Sequence, residues 1–177
     1  MDALFPARVL LVVIVLVAAA SDIRTRRIPN WLTLPGVLAG ILVNVVMAGL
    51  PGLKMSLTGL GLAFGLYLFL YVLRAMGAGD VKLMAAVGAI VGPSQWFAIF
   101  IATAVAGGIF AVALMVVKGR VRQTLGNTMV IIQELAQFRA PYSRHKHLDV
   151  KDPGALNLPH GVAIATGTLV VLLLGMK

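Results

Sequence analysis

Long apolar runs limit what this chain can fold into. Residues 4–20 read LFPARVLLVVIVLVAAA, and comparable runs recur at 31–50, 55–73, 95–117 and 158–176, with a shorter one at 80–92. About 20 apolar residues are needed to cross a bilayer as a helix, so the pattern predicts an all-α polytopic membrane protein with six transmembrane helices. Composition agrees. The chain is 60% hydrophobic and 12% charged, whereas a soluble domain is about 45–50% apolar and about 25% charged. Its 177 residues form one transmembrane domain, 1–177, with no room for a separate soluble module. Cysteine is absent, which removes thiol catalysis, thiolate zinc sites and disulfides.

Charge sets the expected topology. Only Arg8 lies on the leading side of the first run, whereas Arg24, Arg26 and Arg27 follow it. The positive-inside rule then puts the triplet in the cytoplasm and the N-terminus outside. The same asymmetry argues against a cleaved signal peptide, although Ala18-Ala19-Ala20 resembles a cleavage site. Pro29 turns the chain, with Asn30 as N-cap of the second span, and Pro51-Gly52 marks an outer turn. Gly61-x-x-x-Gly65 suits close helix packing in lipid, and Arg74 ends the third span.

Residues 81–92 reach only about 18 Å, stopped by Gly92-Pro93. This short helix is expected to start below the headgroups, sheltered by its neighbours. The connection at 118–157 carries seven Lys or Arg and three acids. Within it, 123–138 reads as an interfacial amphipathic helix. The net charge of +9 is read as cytoplasmic loops meeting anionic lipid, not as a nucleic-acid surface. Both termini are expected outside.

Six acidic residues are present: Asp2, Asp22, Asp80, Glu134, Asp149 and Asp152. Asp22 and Asp80 abut apolar helical segments on the basic side of the membrane, where a carboxylate marks a functional site by default. They can meet if the first helix packs against the short 80–92 helix. Two carboxylates sharing one proton can activate water and polarise an amide carbonyl. Asp80 precedes a helix and Asp22 follows one, so the helix dipoles favour Asp80 as base and Asp22 as acid. The pair would equally serve a proton or metal relay in a transporter subunit. Gly77 and Gly79, flanking Ala78 in Gly77-Ala78-Gly79-Asp80, are read as bare backbone for positive φ and for close approach of an extended peptide.

These residues resemble a known family. Gly77-Ala78-Gly79-Asp80 fits the Gly-x-Gly-Asp motif of membrane aspartyl peptidases. Asp22 with Ile28-Pro29-Asn30-Trp31-Leu32-Thr33, Val81-Lys82-Leu83, and Leu158-Pro159-His160-Gly161-Val162-Ala163-Ile164-Ala165 are similar to type IV prepilin peptidases. The resemblance implies six spans in a prokaryotic inner membrane and Asp22 and Asp80 as the catalytic pair, with no metal or cofactor. Its substrates would be type IV, Flp-like prepilins and pseudopilins, cut at the cytoplasmic face. The alternative within the resemblance is a presenilin-like protease cutting inside the membrane. The compact form, of the kind serving Tad/Flp pili, lacks the Cys-x-x-Cys domain associated with N-methylation, so methyl transfer is not expected. His160 stands where relatives often carry an aromatic residue such as Tyr.

Overall fold

The computed structural model describes residues 5–73, 75–119 and 159–175. Arg74 and residues 120–158 are outside these ranges, so the helix expected at 123–138 and most of the long basic connection lie outside the described residues. Among the described residues the fold is all-helical. Its elements are α1 (Phe5–Thr25), α2 (Asn30–Val72), α3 (Ala78–Val117) and α4 (His160–Leu174). Three of them, α1, α2 and α3, are long and apolar enough to cross a membrane.

Six separate helices are expected, and the described residues form four elements instead. The difference lies at the expected turns. Helical backbone runs through Pro51 and Pro93, and only Gly49 (φ 60°, ψ −135°) and Gly92 (φ 76°, ψ 176°) leave helical geometry. Each glycine is in a region of φ that a side chain rarely tolerates. Pro51 and Pro93 fall in the first turn after each break, where the helix that follows does not need their N–H.

The breaks reverse the chain. Asn44 donates from Nδ2 to Ser56 Oγ at 2.8 Å, although twelve residues of straight helix would separate them by about 18 Å. The same amide group donates to the carbonyls of Ala89 at 3.1 Å and Ile90 at 3.0 Å. Pro93 has no N–H to offer Ala89, and the break at Gly92 interrupts the helical ladder near Ile90. Asn44 therefore satisfies both carbonyls. Each would cost about 1–3 kcal/mol if buried without a partner. One buried polar side chain thus ties the first reversal to the second.

The arm of α3 before Gly92 lies at the centre of the molecule. Val81, Leu83, Met84, Ala85, Ala86, Val87, Gly88, Ala89 and Ile90 are all buried, as expected of a helix apolar on every side. Close approach is made by Gly59 and Gly88: a Cβ on Gly88 would meet the Gly59 carbonyl and stand 2.8 Å from Ala63 Cβ. Cβ atoms on the expected Gly61 and Gly65 would meet nothing within 4 Å among the described residues. Small residues do mediate the contact, but from a different face of α2.

Two elements fall short of a bilayer. The arm at 78–91 and the 15-residue α4 span about 20–22 Å, against about 30 Å of hydrocarbon. On α4, Gly167 packs against Thr103, and a Cβ on Gly107 would lie 3.7 Å from Ala163 Cβ, so α4 runs antiparallel to the arm of α3 beyond Gly92.

Candidate active site

Asp22 and Asp80 converge on the start of α4, though by a different route from the one expected. α1 packs mainly against α4 and only slightly against α3. The N-terminus of α4 holds Asp22 through the Gly161 amide and lies near Asp80 through His160.

Asp22 lies in the last turns of α1 and is 8% exposed. Its Oδ2 accepts a hydrogen bond from the Gly161 N–H at 2.8 Å. A Cβ on Gly161 would lie 3.0 Å from that oxygen and 3.1 Å from Asp22 Cβ. Glycine is what permits so short a contact. Asp80 sits in the first turn of α3 at 9% exposure. Its Oδ2 accepts from the Gly77 N–H at 3.1 Å, the reach-back of a carboxylate to an N-cap amide. Asp80 is within electrostatic reach of both His160 and Asp22.

The expected asymmetry of the pair has no structural basis. Asp22 does follow the body of α1, but its carboxylate is held by an N–H at the positive end of α4. Asp80 is held at the positive end of α3. Each acid therefore accepts one backbone N–H at a helix start, and dipoles do not distinguish base from acid.

The two glycines of the loop have other roles than positive φ. Gly77 has φ −83°, and Gly79 lies inside α3; neither is among the positive-φ residues. A Cβ on Gly79 would come 3.1 Å from Ile28 Cβ and 3.4 Å from Ile28 Cγ1, so the close approach at Gly79 is that of Ile28 from the same chain. A Cβ on Gly77 would come 3.3 Å from Asp80 Oδ2.

Local bonds aim Ile28 at that spot. Arg26 takes φ 54° and closes α1 through its N–H to the Asp22 carbonyl at 3.0 Å. The Ser21 hydroxyl donates to the Arg27 carbonyl at 2.8 Å, folding the loop back on the helix end. Beyond Pro29, Lys82 Nζ donates to Asn30 Oδ1 at 2.9 Å. The segment after Asp22 is thereby latched to the segment around Asp80.

Behind the acids lies an aromatic group. The Tyr67 ring is 6.5 Å from Trp96 and 6.0 Å from Phe100, both edge-on, and 6.5 Å from His160. Trp96 and Phe100 stack at 5.6 Å. Because Asp80, Tyr67 and Phe100 share this region, the two arms of α3 fold back on each other about Gly92. The opposite end of the molecule holds a cavity of about 480 Å³ bordered by Arg8, Met55, Ser94 and Gln95.

Sequence reasoning identified the two acids but not the Gly161 amide, Tyr67 or the Ile28 contact. A backbone donor leaves no mark in a sequence beyond the glycine that admits its partner. Tyr67 looks like any apolar-face aromatic.

A model of the type IV leader peptidase family matches residues 9–112. The match covers both acids and the Gly77-to-Asp80 loop and ends before α4. Neither the curated proteins nor the solved structures gave a match.

Proposed function

We propose that this chain, which belongs to the type IV leader peptidase family, removes the leader from type IV, Flp-like pilin precursors with Asp22 and Asp80 as an aspartyl pair. The observation that carries this reading is the convergence of two buried carboxylates on the α4 N-terminus, each with one oxygen tied to a backbone amide. Close like charges do not both ionise readily, so the pair shares a proton. The ionised member takes a proton from water as the water oxygen bonds to the scissile carbonyl carbon. The protonated member hydrogen-bonds the carbonyl oxygen as it gains negative charge. Collapse breaks the C–N bond, the amine leaves with a proton from the pair, and the leader gains the hydroxyl.

The membrane arrangement completes the reading. Reversals at Gly49 and Gly92 divide α2 and α3 into two arms each, giving with α1 and α4 six membrane-embedded segments, of which the arm at 78–91 and α4 are short and sheltered by the others. Arg24, Arg26, Arg27 and Lys82 flank the acidic end, which faces the cytoplasm of a prokaryotic inner membrane under the positive-inside rule; both termini are outside. Anionic headgroups attract both the basic enzyme face and the basic leader. The pilin's apolar helix lies against the enzyme's spans, and its extended leader passes Gly77 to reach Asp80.

The test is to incubate the purified protein in lipid with a pilin precursor and map the cut bond by mass spectrometry. A single cut at the boundary between leader and apolar helix is expected. A cut within the apolar helix would replace this reading with intramembrane proteolysis, and no cut would remove it.

A further inference from the structure

His160, the first residue of α4, carries an unpaired polar atom near the two acids. Its Nε2 is buried without a hydrogen-bond partner among the described residues. Its ring lies 6.5 Å from that of Tyr67 at a 46° tilt, and Asp80 is within electrostatic reach. The next residue's N–H holds Asp22. His160 therefore stands where the surroundings of both carboxylates meet.

Packing alone does not explain an imidazole here. A Phe ring would fill the space against Tyr67 and leave no buried nitrogen unpaired, an arrangement that carries a free-energy penalty. Unsatisfied buried groups of this kind call for an explanation, and catalysis is one. A buried water makes about three hydrogen bonds, and a pair whose protonated member is engaged with the substrate supplies fewer. The attacking water gives one hydrogen to the ionised carboxylate, and the protonated one is engaged with the scissile carbonyl oxygen, so the water's second hydrogen needs an acceptor.

We propose that His160 is a third catalytic residue, whose Nε2 accepts the second hydrogen of the water held by Asp22 and Asp80. This rests on the reading of those acids as the hydrolytic pair. The imidazole is neutral in this role, with its proton on Nδ1. It fixes the orientation of the water so that an oxygen lone pair faces the scissile carbonyl. No proton is transferred to the ring, and the atom balance of hydrolysis is unchanged.

Two variants separate the polar role from the packing role. His160→Phe keeps an aromatic ring against Tyr67 and removes the acceptor; His160→Gln keeps an acceptor near the Nε2 position and removes the ring. Cleavage of a pilin precursor, kcat and KM, and the thermal unfolding midpoint are measured for each beside the unaltered protein and Asp80→Asn. For His160→Phe, kcat is expected to fall about 10- to 100-fold, the scale of misoriented reactants, with KM little changed and the midpoint equal or higher. His160→Gln is expected to recover most of that loss. Wild-type kcat in His160→Phe, a Gln variant no better than Phe, or a loss matched by a lower midpoint would overturn the role. If the unaltered protein cleaves and Asp80→Asn does not, such a result refutes His160 alone. If the unaltered protein does not cleave, the peptidase reading fails and this inference fails with it.

Discussion

Asp22→Asn and Asp80→Asn, made separately, are each expected to reduce leader removal by about 10²- to 10⁴-fold, the range that a positioned acid or base contributes. Asparagine nearly matches aspartate in shape, and its carbonyl oxygen can still accept from the Gly161 or Gly77 amide. Helix ends and packing should therefore persist, and protein levels with them. What is lost is the shared proton. Because both acids act in one event, the double variant should be little worse than either single one, as for residues that work as a unit. Turnover of a pilin precursor in lipid checks this. Near-normal cleavage by either single variant would mean that the remaining carboxylate suffices, which the proposed chemistry does not allow.

Gly161→Ala is the second large effect expected. The added Cβ would stand 3.0 Å from Asp22 Oδ2, 3.1 Å from its Cβ and 3.3 Å from its Cγ. Such contacts require the carboxylate to move by several tenths of an ångström. Misplacement approaching 1 Å at a reacting group costs up to about 10²-fold, so a 10- to 100-fold loss of cleavage is expected. Stability should move the other way, since alanine is favoured over glycine in a helix by about 1 kcal/mol. Kinetics and thermal unfolding on the same preparation separate the two effects. Wild-type cleavage in Gly161→Ala would show that the position of Asp22 is not set through this contact.

Much of this molecule was legible in its residues, for physical reasons. Lipid solvent leaves apolar helices as the natural use of runs such as 4–20 and 95–117, so helix existence followed from hydropathy. The two acids stood out because only Asp22 and Asp80 abut those runs. The short helix expected at 81–92 reads as sheltered from its length, and the burial of Leu83 through Ile90 agrees. The reversals were harder to place. Pro51-Gly52 resembles a turn, yet the chain turns at Gly49, and the proline serves as a helix start.

Contacts across the fold were least legible. Gly61 and Gly65 have the spacing of a packing motif, but α2 presents Gly59 instead, because the facing surface is set by where Gly88 lies. The meeting of Asp22 with Asp80 was expected through direct packing of α1 on the Asp80 helix. In the structure α1 packs mainly against α4, and Asp22 is held by the Gly161 amide, 139 residues away in sequence. The dipole argument for acid and base failed for the same reason: it counted the helix that Asp22 belongs to and omitted the one that Asp22 faces.

The central claim, that Asp22 and Asp80 meet at one site, is open to direct measurement because the chain has no cysteine of its own. Asp22→Cys and Asp80→Cys combined, treated in membranes with a short thiol-reactive cross-linker, should give an intramolecular cross-link. Asp22→Cys combined with Ser94→Cys, which lies at the opposite end beside Arg8, should give none. Absence of the first cross-link, with both thiols shown to be reactive, or equal yield from the second pair, would contradict the account.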